Sequence, residues 1–180
     1  AEMKEFTSEV QAKASSDPIY LMYRKVLRAG DESKVSAAGL RYDITVIPPG
    51  VFAGNGREFF RTAGHYHRDK PGTGISYPEV LEVISGHVYW LLQKPRKGDY
   101  SAIEEIYVIE AGAGEKAVML PGFGHISVNA SDEPLVMANW ISDACMSDYQ
   151  PYKDLRGSGY WMLEGPSSGT IGFVRNTNYR

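Results

Sequence analysis

Cysteine, long apolar runs and blocks of like charge are all scarce in this chain, and each scarcity removes a class of function. Cys145 is the only cysteine, so no disulfide framework staples the fold, and a reducing compartment is the simplest expectation. Apolar runs end after a few residues, far short of a membrane span. Residues 1–16 are polar and lack an apolar h-region, so no signal peptide is read and a cytoplasmic location is expected. Charges of both signs are interspersed, with a formal net charge of −3 and a sequence pI near 5.8. That surface offers no basic field for nucleic acid and no polybasic block for an anionic membrane. What remains is a chain of 180 residues, 43% hydrophobic, long enough for one domain over residues 1–180 with a sizeable core.

Histidine is also sparse, with four in the whole chain, yet three of them fall into one pattern. His65 and His67 lie two apart, Glu79 follows after a loop, and His125 opens a later apolar run. In a strand, side chains alternate faces, so His65 and His67 point the same way while Tyr66 points away. Two imidazoles on one strand face are costly to bury without a function. Three nitrogens and a carboxylate oxygen make a borderline donor set suited to iron(II), manganese, nickel or zinc. Strand ends from different strands converge on one ion only if the sheet curls into a barrel. Glu82, three positions from Glu79, should face the other way. His87 follows the Ser85-Gly86 turn without a partner pattern and is read as a turn or surface residue.

The rest of the chain reads as strands. A short helix is expected near Ser8–Ala14, where Ser8 and Gln11 have capping-box spacing and Asp17-Pro18 ends the run. Beyond it, Leu40–Ile47 alternates and stops at Pro48-Pro49-Gly50. Val80–Ile84 and Val88–Leu92 flank Ser85-Gly86 as a hairpin. Segments at 106–109, 117–120, 126–128 and 135–140 follow at short spacing, and Tyr160–Leu163 with Ile171–Val174 reads as a final hairpin. Nine or ten short strands with almost no helix imply an all-β barrel, with its core over residues 40–142 and the N-terminal segment and C-terminal hairpin packed on it.

These residues resemble a known family. His65-x-His67, Glu79 and Gly86 look like the first motif of the cupins, and Pro121-Gly122-Phe123-Gly124-His125 with Asn129 resembles the second. The string Phe59-Phe60-Arg61-Thr62-Ala63-Gly64-His65-Tyr66-His67, with Leu91-Leu92-Gln93 and Asp132-Glu133-Pro134, is similar to the cupin-type glucose-6-phosphate isomerases known from archaea and some bacteria. The resemblance runs from about Asp17 to Tyr149. It implies a jelly-roll cupin barrel with one divalent ion per chain, iron(II) first, on His65, His67, Glu79 and His125. It also implies sugar-phosphate contacts from Tyr20, Thr45, Thr62, Gly64 and Tyr149, and a homodimer. Two features depart from the family: the loop between His67 and Glu79 is longer, with Pro71-Gly72-Thr73-Gly74 as the insert, and Ser147 stands where relatives tend to have a His before Asp-Tyr.

The expected activity is interconversion of glucose 6-phosphate and fructose 6-phosphate in glycolysis or gluconeogenesis, with mannose 6-phosphate as an alternative substrate. A Lewis-acidic ion polarises the sugar oxygens, and Glu79 is the candidate base. A ligating carboxylate is a poorer base because the cation stabilises its ionised form, so a proton route through Glu79 and a direct hydride shift both stay open. No Lys/Arg cluster or P-loop is read, and the phosphate end falls to hydroxyls and a backbone N–H. Threonine in a strand is also favoured simply by β-propensity, which weakens the case for Thr45. Two other readings share the scaffold: a metal-dependent dioxygenase, which needs no phosphate grip, and a non-catalytic sugar-binding cupin.

Overall fold

A computed structural model describes residues 18–52, 57–167 and 169–180; the helix expected near residues 8–14 lies outside them. Strand β1 is Leu21–Tyr23, and β2 is Leu40–Ile47, whose alternation buries Asp43, Thr45 and Ile47 on one face. A short helix α1, Glu32–Ala37, joins them where the sequence reads as a polar loop. Six residues are too few to carry a helical period. The histidine strand β3 is Tyr66–His67. Glu79–Ser85 (β4) and His87–Arg96 (β5) flank the Ser85-Gly86 turn, but they do not pair with each other as the expected hairpin. The turn carries the chain from one sheet into another, and at it Gly86 takes a φ of 86° and a Cβ would meet the Pro134 carbonyl oxygen at 2.7 Å.

Strand β6 runs over Asp99–Gly112, far longer than the 106–109 segment the pattern suggests, because pairing along nearly all of β5 sustains it. Then come β7 Lys116–Met119, β8 Gly124–Val128, β9 Leu135–Ser142 and β10 Ser147–Asp148. Helix α2, Gln150–Asp154, carries Pro151 in its first turn, where the fixed φ of proline is suited. The expected C-terminal hairpin is present as β11 Tyr160–Glu164 and β12 Ile171–Arg175.

Two larger sheets form the barrel walls, one in the order β1-β2-β9-β4-β7 and the other β6-β5-β8. Between them lies a core of Ile47, Leu81, Val83, Val88, Trp90, Leu92, Met119, Leu135 and Met137. Burying such a side chain stabilises the fold by about 1.5–3 kcal/mol. Strand β5 is buried on both faces: Val88, Trp90 and Leu92 join that core, while Leu91 joins a second cluster with Tyr66, Ile126, Val128, Tyr152 and Met162. That second cluster is how α2 and β11 clamp the outside of the wall carrying the histidines. The result is the all-β cupin fold. No helix among the described residues is long and apolar enough to cross a membrane.

Candidate metal centre

His125 lies on β8 and His65 beside it, the two backbones exchanging hydrogen bonds: His125 N–H to the His65 carbonyl at 3.1 Å and the reverse at 3.3 Å. Pleat alternation then brings His67 to the same side as His65. Glu79 comes from the opposite wall, at the head of β4, on its inner face with Leu81 and Val83. The ligand atoms of His65, His67, Glu79 and His125 all lie within 4.8 Å of one another. His125 Nε2 stands 3.1 Å, and His67 Nε2 3.5 Å, from Glu79 Oε2. His65 Nε2 is 3.2 Å from His67 Nε2. Bonds of about 2.1 Å at right angles put neighbouring donors about 3 Å apart, which these separations match.

Two features favour an ion there. Glu79 Oε2 is buried with no hydrogen-bond partner, because its approach to His125 lacks hydrogen-bond geometry; a buried, unpaired carboxylate oxygen is costly unless it meets a cation. The His67 Nδ1–H donates to the Tyr77 carbonyl at 2.8 Å, which leaves the Nε2 lone pair for a ligand. Burial first, then the neighbouring His125 and His67 imidazoles, pushes the His65 pKa well below its ordinary range. Burial and then His125 also lower His67. Both are therefore neutral at pH 7, the state that binds metal.

The residues assigned to sugar phosphate do not all lie alike. The Tyr149 ring packs on His65, centroids 5.1 Å apart. Burial, and then the neighbouring Tyr149, raise the pKa of the Tyr20 hydroxyl. Thr62 is buried, its Oγ1 accepting the Ser127 N–H at 3.0 Å while its own N–H goes to the Ser127 carbonyl. Gly64 takes a φ of 80°, and a Cβ there would stand 2.5 Å from Tyr152 Cδ1, so its glycine is required by packing. Thr45 is fully buried on the inner face of β2, level with Met137.

The departures from the family have defined places. Ser147 pairs opposite His67 in the β3–β10 ladder. The longer loop closes on itself through an Asp69–Ser76 bridge and a hydrogen bond from Lys70 N–H to the Ile75 carbonyl. Its Ser76 hydroxyl accepts the Gly122 N–H at 2.7 Å, tying the loop to the turn before His125. His87 heads β5 and pairs with Glu110 at 3.1 Å, away from the cluster. Glu82 faces out, pairing with Lys116. One group escaped the sequence reading. Arg24 and Arg41, 17 positions apart, meet at the buried Asp43, and only the β1–β2 pairing brings them together.

A family model described as glucose-6-phosphate isomerase (GPI) matches residues 2–180. The glucose-6-phosphate isomerase of Thermococcus litoralis is 29% identical over 132 residues, which are 68% of this chain and 62% of that protein. That of Thermococcus kodakarensis is 27% identical over 150 residues, 83% of this chain and 69% of that protein. The chain thus spans under two thirds of the first relative's length. Among solved structures, vicilin from Corylus avellana superposes with a TM-score of 0.52 at 11% identity, covering 74% of this chain and 33% of that one, a likeness of fold alone.

Proposed function

The chain belongs to the glucose-6-phosphate isomerase family, and from that premise we propose that it interconverts glucose 6-phosphate and fructose 6-phosphate at a divalent metal site. The observation that carries this reading is the convergence of His65, His67, Glu79 and His125 within 4.8 Å in a chain that the isomerase family model matches almost from end to end. These four side chains hold the ion, iron(II) first with manganese, nickel or zinc as alternatives. When bound, it supplies Lewis acidity to the oxygens on C1 and C2.

Glu79 is the catalytic residue of this proposal. In the proton route its carboxylate takes the C2 hydrogen of glucose 6-phosphate as a proton and returns it to C1, while the O2 proton passes to O1. In the hydride route hydrogen moves from C2 to C1 with its electron pair while the O2 proton passes to O1, and Glu79 only holds the ion. Tyr20, Tyr149, Thr62, Gly64 and Thr45 bind the sugar phosphate, with Tyr149 packed on His65. A homodimer is part of the proposal, supported by a half-exposed apolar row of Tyr42, Trp140, Val80 and Val118 in register across four strands of the outer sheet face.

The experiment is a coupled assay from fructose 6-phosphate, with chelator and then with iron(II) or manganese restored. Activity lost to chelator and regained with metal supports the proposal, and no turnover with any metal sinks it. Run in deuterated water, label at C2 of the glucose 6-phosphate marks the proton route.

A further inference from the structure

The hydroxyls assigned to the sugar phosphate carry no charge, yet the ligand end they serve is a dianion. Beside them the fold has assembled a cation that nothing in the proposed chemistry uses. On the inner face of β2, Arg41, Asp43 and Thr45 alternate in one line. Asp43 is buried, and its Oδ2 accepts from Arg41 Nε at 2.8 Å and from Arg24 Nη1 at 3.3 Å. Its Oδ1 accepts the Lys25 N–H at 3.0 Å; Lys25 holds a left-handed φ of 56°, which turns that N–H inward. Two guanidinium groups share one carboxylate, so the group carries one net positive charge.

The two arginines differ. Arg41 is nearly buried and also reaches the Ser142 and Cys145 carbonyls, each at 3.4 Å. Arg24 has a side chain 51% exposed, and among the described residues it hydrogen-bonds only to Asp43. Most of its fork is open to a ligand, and a planar guanidinium matches a phosphate face. Strand register sets the distance to the metal centre: Arg41 lies opposite Ile141, which lies opposite Glu79, all on the inner face. Two strand spacings are about 10 Å, comparable with the reach of an open six-carbon sugar from its carbonyl carbon to its phosphate. The site lies on the same side as the candidate sugar contacts. Thr45, one of those contacts, follows Arg41 and Asp43 on the same inner face of β2.

The geometry points to Arg24, oriented by Asp43 and backed by Arg41, as the residue that binds the phosphate of the substrate and selects phosphorylated over free sugar. This rests on the sugar-phosphate reading of the metal site. Arg24 contributes to ground-state binding, so its loss raises KM more than it lowers kcat.

The test uses metal-loaded wild type, Arg24→Gln and Arg24→Lys. Inorganic phosphate is titrated into each by calorimetry, and KM and kcat for fructose 6-phosphate are measured alongside. The expectation is phosphate binding about tenfold or more weaker in Arg24→Gln, partial rescue in Arg24→Lys, and KM raised by a similar factor with kcat little affected. Metal affinity should be equal in all three. Phosphate that binds all three alike is held by the metal or the hydroxyls, and that overturns the inference, as does a wild type that binds no phosphate. If wild type isomerises the sugar and Arg24→Gln matches it, the isomerase reading stands and Arg24 falls. If phosphate binding follows Arg24 but no isomerisation occurs, the isomerase reading falls and the anion site stands.

Discussion

The imidazole of His67 donates its Nδ1–H to the backbone carbonyl of Tyr77 at 2.8 Å. The long loop after the histidine pair is thereby part of the candidate metal centre. A carbonyl only accepts, so this bond selects the tautomer and aims Nε2 at Glu79 and His125. The loop holds its own position through Ser76, whose hydroxyl accepts the Gly122 N–H.

Replacing Ser76 with Ala should therefore be felt at the metal before it is felt by the fold. The Gly122 N–H loses its partner, the Tyr77 carbonyl shifts, and metal affinity should weaken by up to about tenfold. Calorimetric titration with manganese measures this, and unchanged affinity would show that the loop does not orient His67.

Glu79→Gln exchanges the buried carboxylate for a neutral amide of the same shape. Metal-dependent stabilisation should shrink sharply. An ion present at about 100 times its Kd adds about 2.7 kcal/mol, visible in wild type as a rise in Tm that the variant should largely lack. Thermal scans with and without metal read it directly, independently of catalysis.

Without metal the protein should lose stability as the pH falls below neutrality. Burial, and then the neighbouring imidazoles, lower His65 and His67 from their ordinary value of 6.5. The unfolded chain therefore binds protons first on acidification. The contribution is fully present above about 6.5 and declines as pH falls toward the folded values. Thermal scans in chelator between pH 8 and 5 should show Tm falling toward the acid side, and a flat profile in that window would count against neutral, buried histidines.

Gly64→Ala should be strongly destabilising. The position combines a φ of 80° with a Cβ direction occupied by Ile126 and Tyr152. Left-handed strain and overpacking together should cost about 2–5 kcal/mol, read from urea denaturation. A loss below about 1 kcal/mol would mean that α2 yields easily.

Tyr179→Phe tests how the C-terminus is fastened to the barrel. The Tyr179 hydroxyl donates to the Gly157 carbonyl at 2.8 Å and accepts from Gln93 Nε2 at 3.0 Å, while the same Gln93 amide donates to Tyr66 at 2.9 Å. Losing the hydroxyl leaves buried groups short of a partner, at about 1–3 kcal/mol, measured by equilibrium unfolding.

The sequence by itself determined the all-β architecture and picked out the four residues that converge as a candidate metal site. Alternation along Leu40–Ile47, the Ser85-Gly86 turn and the His65-x-His67 pair are local signals, because strand period and turn chemistry are written within a few residues. The short helices at Glu32 and Gln150 escaped that reading because one or two turns carry no period, and β6 outran its own pattern because β5 pairs along it. Only the tertiary structure decided how the donors meet, with Glu79 facing the histidines from the opposite wall and the Tyr77 carbonyl holding His67. It alone joined Arg24 to Arg41 across Asp43. Such relationships depend on which strands become neighbours and in what register, and burial of the whole core, not any short stretch of chain, selects that pairing.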